Sequence, residues 1–323
     1  MTADAPAPAA QAAPAHSEAS LAHFPVPIFA SVMGLAGLGL AWREAGHALG
    51  APALVGEVVA ILAVLLFVAL LGAYALKALK FRPALLGELR HPIRTPFVST
   101  VSIGAMLAAA CVFPYAPGVA AAVWVVAVVV HLILAVWVLR RWITVSMETH
   151  MATPAWVIPL VGNILAPILG VKLGFIETSW ALFGLGFFLW LVFMPILVNR
   201  LVFHPELPPK LWPTLAIFIA PPAVGFLAWV GLVGGVDGMA RFFYWIAAFF
   251  VAFLVSIAPR LVKLPFALSW WAYTFPLAAF SLATTRFVGG GAAWVALIVA
   301  TAVVVLVAAR TIQYTLAGHL LRP

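Results

Sequence analysis

The sequence has 323 residues, of which 66% are hydrophobic and only 8% are charged. A soluble globular domain has about 25% charged residues, so this composition excludes an ordinary soluble protein and indicates an integral membrane protein. The formal net charge of +8 would favour a nucleic-acid partner in a soluble protein. Here the basic residues lie between apolar runs, where membrane topology and lipid headgroups account for them. The single cysteine, Cys111, excludes an intrachain disulfide and a cysteine-based metal cluster.

The chain divides into a short N-terminal tail and one long apolar region. Residues 1–23 are rich in Ala and Pro and contain no Lys or Arg, and they lack the basic start and apolar segment of a secretory signal. We interpret them as a disordered cytoplasmic tail. Residues 24–318 are predicted to form a single transmembrane domain, because no connection is long enough for a soluble domain. Residues 319–323 are predicted to be a cytoplasmic C-terminal tail.

Ten apolar runs have the length of a membrane span. They cover residues 24–42, 53–76, 92–115, 119–139, 154–171, 180–203, 212–233, 239–261, 263–287 and 292–316. The connections between them are short and often contain Gly or Pro. We therefore expect an all-α integral membrane protein with ten transmembrane helices.

Lys and Arg residues are distributed unevenly between the two sides of these predicted spans. The connections after odd-numbered runs contain four of them, Arg43, Lys172, Arg241 and Arg286, and the other thirteen follow even-numbered runs or lie at the C-terminus. Positive residues favour the cytoplasmic side of a membrane. The N-terminus, the C-terminus and the even connections are therefore predicted to be cytoplasmic.

Prolines are concentrated in the odd-numbered runs. Among the even-numbered runs only Pro195 is comparably interior, whereas the odd-numbered runs contain Pro159, Pro167, Pro221, Pro222 and Pro276. A helix broken by proline at membrane depth is tolerated only where the freed backbone faces protein or a water-filled cavity. We therefore predict five helical hairpins, in which kinked odd helices form an inner ring around a central pore and even helices form an outer ring.

The ninth run contains the predicted gate of this pore. Pro276 has no N–H to bond the carbonyl of Ala272, so the helix is predicted to kink or break there. Phe275 stands at this bend, and hydrophobic constrictions are known to gate pores. The alternative is that Phe275 packs inside the bundle, as most of the 23 phenylalanines are expected to do.

Small and hydroxyl-bearing residues of the odd runs are predicted to line the pore or to form its kinks. They are Pro276, Thr274, Pro221, Pro222, Pro159, Gly34, Ser31, Ser99, Ser102, Gly162, Asn163 and Ser281. No acidic ring would attract cations, and basic residues at the cytoplasmic mouth would concentrate anions. Membrane topology alone explains most of those basic residues. Such a wall suits a small, readily dehydrated anion.

Ionisable residues inside the predicted spans are few. Glu57 lies about one turn inside the second run, and His131 lies deep in the fourth. We interpret His131 as a neutral imidazole bonded to a neighbouring helix, although an intramembrane ionisable residue also raises a functional hypothesis. Coordination of a metal by His131 would need partners that the sequence does not offer. No paired carboxylates, catalytic triad or phosphate-binding loop stands out, so we expect no enzyme activity, no metal and no cofactor.

Several motifs resemble the slow-type anion channel of plant guard cells and its bacterial relatives, the tellurite-resistance and dicarboxylate transporter (TehA-like) family. The most specific is SWWAYTFP at residues 269–276, supported by VGN at 161–163, ELPPKL at 206–211 and FIAPP at 218–222. Upstream, FP at residues 24–25 and HPIR at 91–94 are similar to the starts of the first and third helices of that family. The resemblance covers nearly the whole chain apart from the tail.

This resemblance implies ten transmembrane helices in five hairpins around one pore per protomer, and a homotrimer with three separate pores. It also implies conduction of small monovalent anions such as chloride and nitrate, with a pore-blocking phenylalanine at the position of Phe275. The subfamily names record dicarboxylate and tellurite associations, and related branches export sulfite or malate. The alternative function is therefore secondary transport of an oxyanion or a C4-dicarboxylate. The expected location is a bacterial inner membrane. The expected partners are small inorganic anions, the lipid bilayer and further copies of the chain, with no nucleic acid.

Overall fold

The computed structural model of the protein describes residues 20–322. These residues form thirteen α-helices and eight 3₁₀ segments, and no strand occurs among them. Most of the predicted N-terminal tail, residues 1–19, lies outside the described residues. The last part of that predicted tail, Leu21–His23, forms a 3₁₀ turn capped by the side chain of Ser20.

The α-helices follow one another with short connections. They are α1 (Ala30–Leu49), α2 (Ala53–Lys80), α3 (Arg82–Arg90), α4 (Ser99–Val112), α5 (Pro117–Thr144), α6 (Val157–Val161), α7 (Pro167–Gly170), α8 (Ile176–Phe203), α9 (Ala220–Val233), α10 (Gly238–Ser256), α11 (Ala258–Leu261), α12 (Thr274–Phe287) and α13 (Gly290–Leu316).

Five 3₁₀ segments lead directly into α1, α4, α6, α9 and α12, and we call them the entry segments. They are Val26–Phe29, Thr95–Val98, Pro154–Trp156, Pro209–Ile219 and Leu268–Tyr273. The other 3₁₀ segments are Leu21–His23, Thr149–Met151 and Gly162–Leu165. Four of the five entry segments contain proline, which has no N–H to donate and fixes its own backbone angle.

Eight helical stretches within residues 20–322 are long and apolar enough to cross a membrane. The coarse prediction of an all-helical membrane protein is therefore confirmed. The predicted fifth run is filled by the shorter apolar stretch Pro154–Gly170, and the predicted ninth run by the entry segment Leu268–Tyr273 followed by α12. The switch from 3₁₀ to α geometry at Thr274 falls beside Pro276, where the sequence predicts a kink or break.

Burial divides the spans into two classes. In Val26–Leu49, Thr95–Val112 and Pro209–Val233, 67% to 78% of the most apolar stretch is buried inside the protein. In α2, α5, α8, α10 and α13 that share is only 28% to 39%, and large apolar side chains such as Leu65 and Phe249 are exposed. Continuous apolar surface of this kind marks contact with lipid or with another protein.

Consecutive helices pack as hairpins, and the more buried helices also pack on one another. The hairpin pairs are α1 with α2, α4 with α5, α6 and α7 with α8, α9 with α10, and α12 with α13. In addition, α1 packs on both α4 and α12, and α12 packs on α9. The two ends of the described chain lie side by side, since the Ser20 N–H donates to the Leu321 carbonyl over 3.0 Å.

Candidate functional site

A cavity of about 80 Å³ lies where the entry segments meet the first turns of the helices that follow them. All of its lining residues belong to the predicted odd-numbered runs. They are Pro27, Ala30, Met33, Phe97, Thr100, Ile103, Val157, Ile158, Val161, Gly162, Ile164, Leu165, Ile217, Ala220, Pro221, Val224, Leu268, Ser269, Trp271, Ala272, Phe275 and Pro276. The cavity therefore runs between five different chain segments, each of which contributes one face.

The walls of this cavity are apolar, and no lining residue is ionisable. Thr100 and Ser269 contribute the lining hydroxyls, and each donates its hydrogen to a backbone carbonyl, of Phe97 and Lys210 respectively. The indole N–H of Trp271 donates to Thr311 Oγ1 on α13 over 2.9 Å. Ser269 and Trp271 thus bond neighbouring segments, whereas Thr100 bonds its own. Because these donors are occupied, the wall offers no strong binding group to a ligand.

Phe275 is buried in the first turn of α12 and forms part of the cavity wall. Its ring packs against α1 at Gly37, where an added Cβ would lie 3.1 Å from a ring carbon of Phe275 and 3.3 Å from Ala278 Cβ. Glycine at position 37 therefore gives the ring its space between α1 and α12. The Phe275 ring thus forms part of the cavity wall at the point where the entry segment Leu268–Tyr273 passes into α12.

The predicted site residues divide into those on the cavity and those behind it. Phe275, Pro276, Pro221 and Gly162 line the cavity. Gly34 is on the face of α1 that packs against α12. An added Cβ there would overlap Thr274 Oγ1 and come within 3.3 Å of Trp271.

Four predicted hydroxyl or amide side chains bond their own helix. Ser31, Ser102, Thr274 and Asn163 each donate to the carbonyl three residues earlier, over 2.6, 3.0, 2.7 and 2.8 Å. Such bonds satisfy carbonyls at the change from 3₁₀ to α geometry. Pro159, Pro222, Ser99 and Ser281 are buried in their helices away from the lining, and the two serine hydroxyls have no bonding partner in the described part of the chain.

Most of the apolar lining residues were not singled out from the sequence. Within each segment they recur every third or fourth residue, as in Pro27, Ala30 and Met33. That spacing is one face of a helix, so a search for such a face in the odd-numbered runs could have found them. Apolar composition alone could not, because lipid-facing and cavity-facing residues are alike in it.

Charged residues lie at the two ends of the bundle, and four of the 17 Lys and Arg residues form ion pairs with glutamates. At the end near Ser20, Lys77 Nζ contacts Glu88 Oε2 at 2.9 Å with both side chains buried. Burial lowers the pKa of His91 at the same end, and the Arg94 guanidinium lowers it further. At the opposite end, Arg43 binds Glu57 on α2.

A second pair at that opposite end, Arg286 with Glu44, joins α12 to α1 through bonds of 2.8 and 2.9 Å. Ion pairs of this kind cancel local charge at the end of α12. This end carries four basic residues, Arg43, Lys172, Arg241 and Arg286, and four acidic ones, Glu44, Glu57, Glu177 and Asp237. The surplus of basic residues behind the net charge of +8 therefore lies at the end near Ser20.

Comparison with known proteins places these features in a family. The family described as voltage-dependent anion channel (SLAC1) matches residues 23–314. The guard cell S-type anion channel SLAC1 of Arabidopsis thaliana is 28% identical over 278 residues, covering 83% of this chain and 50% of the plant protein. The S-type anion channel SLAH1 of the same plant is 30% identical over 234 residues, covering 70% of this chain and 60% of that protein.

A bacterial relative is similar over a larger share of its own length. The tellurite resistance protein TehA homolog of Haemophilus influenzae is 26% identical over 272 residues, covering 83% of each chain. The chain spans about half the length of the plant relatives SLAC1 and SLAH2. Because the family match extends over nearly all of the described residues, this chain belongs to the voltage-dependent anion channel family.

Proposed function

We propose that this protein is a passive channel for small monovalent anions such as chloride and nitrate, and that the Phe275 ring closes its pore. The observation that carries the proposal is the cavity built by five odd-numbered segments and bounded by Phe275. The names of the relatives, S-type anion channels among them, support an anion as the transported species. Such a channel would have no catalytic role.

The pore in this proposal is the axis of a ring formed by the odd-numbered spans of a ten-helix domain. The packing supports such a ring, because α1 contacts α4, α4 contacts α6, and Gly162–Leu165 contacts α9. The contacts of α9 with α12 and of α12 with α1 then close the cycle. The less buried α2, α5, α8, α10 and α13 form the outer layer in this arrangement.

The chemistry of the wall favours a channel over a carrier. A conducting pore must bind its ion weakly enough to release it, and the lining has no ionisable side chain and no free hydroxyl donor. A proton-coupled carrier needs a titratable relay near the membrane midplane, and none of the lining residues titrates.

A second candidate is export of an oxyanion such as sulfite or tellurite, or of a C4-dicarboxylate such as malate. This function is favoured by the similarity to the TehA homolog, which is named a tellurite resistance protein and aligns with 83% of this chain. Such a transporter would show saturable flux, whereas the channel would show current that rises in proportion to the driving force.

The assembly and location are part of the same proposal. The exposed apolar faces of the outer helices suit both lipid and neighbouring copies in a homotrimer with one pore per protomer. Thirteen of the 17 Lys and Arg residues follow even-numbered runs or lie at the C-terminus. This distribution supports cytoplasmic termini in a bacterial inner membrane. Residues 24–318 form a single transmembrane domain in this proposal.

The test is to replace the gate and measure current. In planar bilayers or oocytes, Phe275→Ala should raise the anion current by about tenfold or more, which corresponds to about 1.4 kcal/mol of barrier. Reversal potentials under chloride, nitrate, sulfite and malate gradients would rank the permeant anions in the same experiment.

The matched control is Phe280→Ala on the same helix, because the Phe280 ring stacks on Tyr244 at 5.6 Å and lies off the cavity. Its current should stay at the wild-type level. Equal currents through Phe275→Ala and the unchanged protein would contradict the gate. A saturable malate or sulfite flux without a chloride current would reject the channel function and support the exporter function.

A further inference from the structure

A surface groove of about 500 Å³ lies where α8 and α10 return to the end of the bundle near Ser20. Two connections form it, one between α8 and the entry segment Pro209–Ile219 and the other after α11. Its walls include Glu206, Leu207, Trp212, Arg260 and Leu264. We call it the Trp212 groove. It shares no lining residue with the cavity, so it is a separate site.

Trp212 presents the face of a fixed indole ring to this groove. Its N–H donates to the Leu207 carbonyl over 2.8 Å, and the guanidinium carbon of Arg260 lies 5.6 Å from the centroid of the ring. Stacking of this kind uses the face of a guanidinium and leaves the N–H groups in its plane. Arg260 is therefore held at the groove with donors that an anion can reach.

Glu206, the acidic residue of the lining, pairs only loosely with this guanidinium. Glu206 Oε1 lies 3.8 Å from Arg260 Nη1, and the two side chains are 76% and 69% exposed. That distance is too long for a hydrogen bond, and ion pairs this exposed to water contribute little. An anion of higher charge density can therefore displace the Glu206 carboxylate from Arg260.

Two lysines add positive charge beside the lining. Lys210 follows the lining residue Pro209, and Lys263 precedes Leu264. Both lysines are exposed, and neither has an acidic partner in residues 20–322. With Arg260 and Glu206, the groove has three basic residues and one acidic residue, which favours a ligand with a net negative charge.

A fourth basic residue lies behind the groove. Arg200, in the last turn of α8, is 2% exposed, and its Nη1–H donates over 2.8 Å to the carbonyl of Pro205, the residue before Glu206. No carboxylate of the described chain forms an ion pair with Arg200. Its positive charge is therefore not cancelled by the segment that carries Glu206.

The surroundings of the groove are apolar and highly exposed. Phe203 at the end of α8 and Val262 beside Lys263 are among the most exposed large apolar side chains. Such side chains fit the acyl chains of a bilayer, and a tryptophan beside basic residues is typical of the membrane interface. A soluble anion would contact the basic residues and leave the apolar side uncovered, whereas a phospholipid covers both.

We propose that the Trp212 groove binds the phosphate headgroup of an anionic phospholipid. Arg260 donates to the phosphate oxygens, Lys210 and Lys263 contribute positive charge, and the glycerol and upper acyl chains pack on Trp212 and Leu264. Binding of this lipid does not depend on the channel function proposed above.

The groove is connected to the cavity by one hydrogen bond. The hydroxyl of Ser269, which lines the cavity, donates to the Lys210 carbonyl. A headgroup bound at Lys210 would therefore contact the segment that supports the cavity wall.

The test measures lipid binding to the full chain in detergent. Native mass spectrometry would count the lipids that stay bound during titration with dioleoyl phosphatidylglycerol, which is anionic, or with dioleoyl phosphatidylcholine, which is zwitterionic. The unchanged chain should bind phosphatidylglycerol about tenfold more tightly, and Arg260→Gln should remove that preference, the effect of one lost hydrogen bond between charged groups. Glu206→Gln should strengthen the binding of phosphatidylglycerol, because it removes the negative charge of the lining.

The matched control is Arg241→Gln at the opposite end of the bundle. Arg241 also lies over an aromatic ring, 5.6 Å from the centroid of Phe287, but outside the groove. This variant loses the same charge and a similar stack, so phosphatidylglycerol should bind as it does to the unchanged chain. Equal weakening by Arg241→Gln and Arg260→Gln, or no weakening by Arg260→Gln, would overturn the site. Displacement of the lipid by millimolar inorganic phosphate would indicate a site for a free anion and would overturn the lipid as its ligand.

Discussion

Phe275 owes its place in the cavity wall to residues that are not aromatic. Pro276 follows it directly, and the change from 3₁₀ to α geometry precedes it at Tyr273 and Thr274. Gly37 on α1 gives the ring the space it occupies. The proposed gate therefore depends on the contact of two helices, and its sequence signal is the combination of an aromatic residue, a proline and a facing glycine.

Gly34 is expected to be intolerant of a side chain. A Cβ there would lie 2.7 Å from Thr274 Cβ and would overlap its hydroxyl, so Gly34→Ala must push α1 and α12 apart beside the gate. Overpacking of this kind costs about 1–3 kcal/mol. The thermal unfolding temperature in detergent should fall.

The control for this substitution is Gly72→Ala on α2, where no atom lies within 4 Å of the added Cβ. That variant should unfold at or above the wild-type temperature, because alanine is the better helix former. Equal unfolding temperatures of the two variants would show that the contact of α1 with α12 does not depend on glycine at position 34.

At the scale of single residues, the sequence identified positions of the candidate site only where one residue type determines the backbone geometry. Proline and glycine made positions such as Pro276 and Gly162 visible. The buried pair of Lys77 and Glu88 could not be foreseen, because its members lie on different helices and meet only through the path of the chain. His131 was foreseen to bond a neighbouring helix, but its partner, Ser102 on α4, could be identified only from the structure.

At the scale of elements, the start of the first span is held by one buried ion pair. Glu88 on α3 accepts the Val26 N–H over 3.0 Å through one oxygen and Lys77 Nζ over 2.9 Å through the other. Lys77 also donates to the Phe24 carbonyl over 2.6 Å. The entry segment Val26–Phe29, which brings Pro27 to the cavity, is thereby tied to α2 and α3.

Removing one partner of this pair should be costly. Glu88→Ala leaves the buried Lys77 ammonium group without its counter-ion and the Val26 N–H without its acceptor. Loss of one partner of a buried pair costs about 3–5 kcal/mol. Denaturation in detergent should show this loss, and the double variant Lys77→Met with Glu88→Met should recover part of it. A double variant no more stable than Glu88→Ala would show that the charge left behind is not the cause.

The helices were predictable as apolar runs, but their internal geometry was not. The structure begins the third span at Thr95 and ends it at Val112, inside the predicted run 92–115, and α3 was not predicted at all. Hydropathy cannot separate a 3₁₀ segment from an α-helix, because periods of 3.0 and 3.6 residues diverge little over four to six residues. The prolines of the odd-numbered runs were the signal that these spans differ.

At the scale of the whole molecule, both ends of the described chain lie on the same side. Ser20 and Leu321 share a backbone hydrogen bond, so the chain makes an even number of crossings. Alkaline phosphatase fused after residue 322 should therefore be inactive in a bacterial host, and green fluorescent protein at that point should fluoresce, because thirteen of 17 basic residues predict a cytoplasmic end.

The matched insertion is at Gly235, in the connection between α9 and α10, where phosphatase should be active. Activity at both positions would contradict the proposed topology. Phosphatase activity after residue 322 but not at Gly235 would keep the even number of crossings and show that the orientation is the opposite of the one proposed.

The 3₁₀ geometry of Leu268–Tyr273 also has a mechanical consequence. A 3₁₀ turn rises about 2.0 Å per residue against 1.5 Å in an α-helix, so these six residues hold about 3 Å of length that rewinding would take up. Rewinding would also turn the following residues by about 120°, since each residue advances by 120° in one form and 100° in the other. A screw motion of the backbone would therefore swing the Phe275 ring without a change in its rotamer, at a cost set by a few peptide hydrogen bonds.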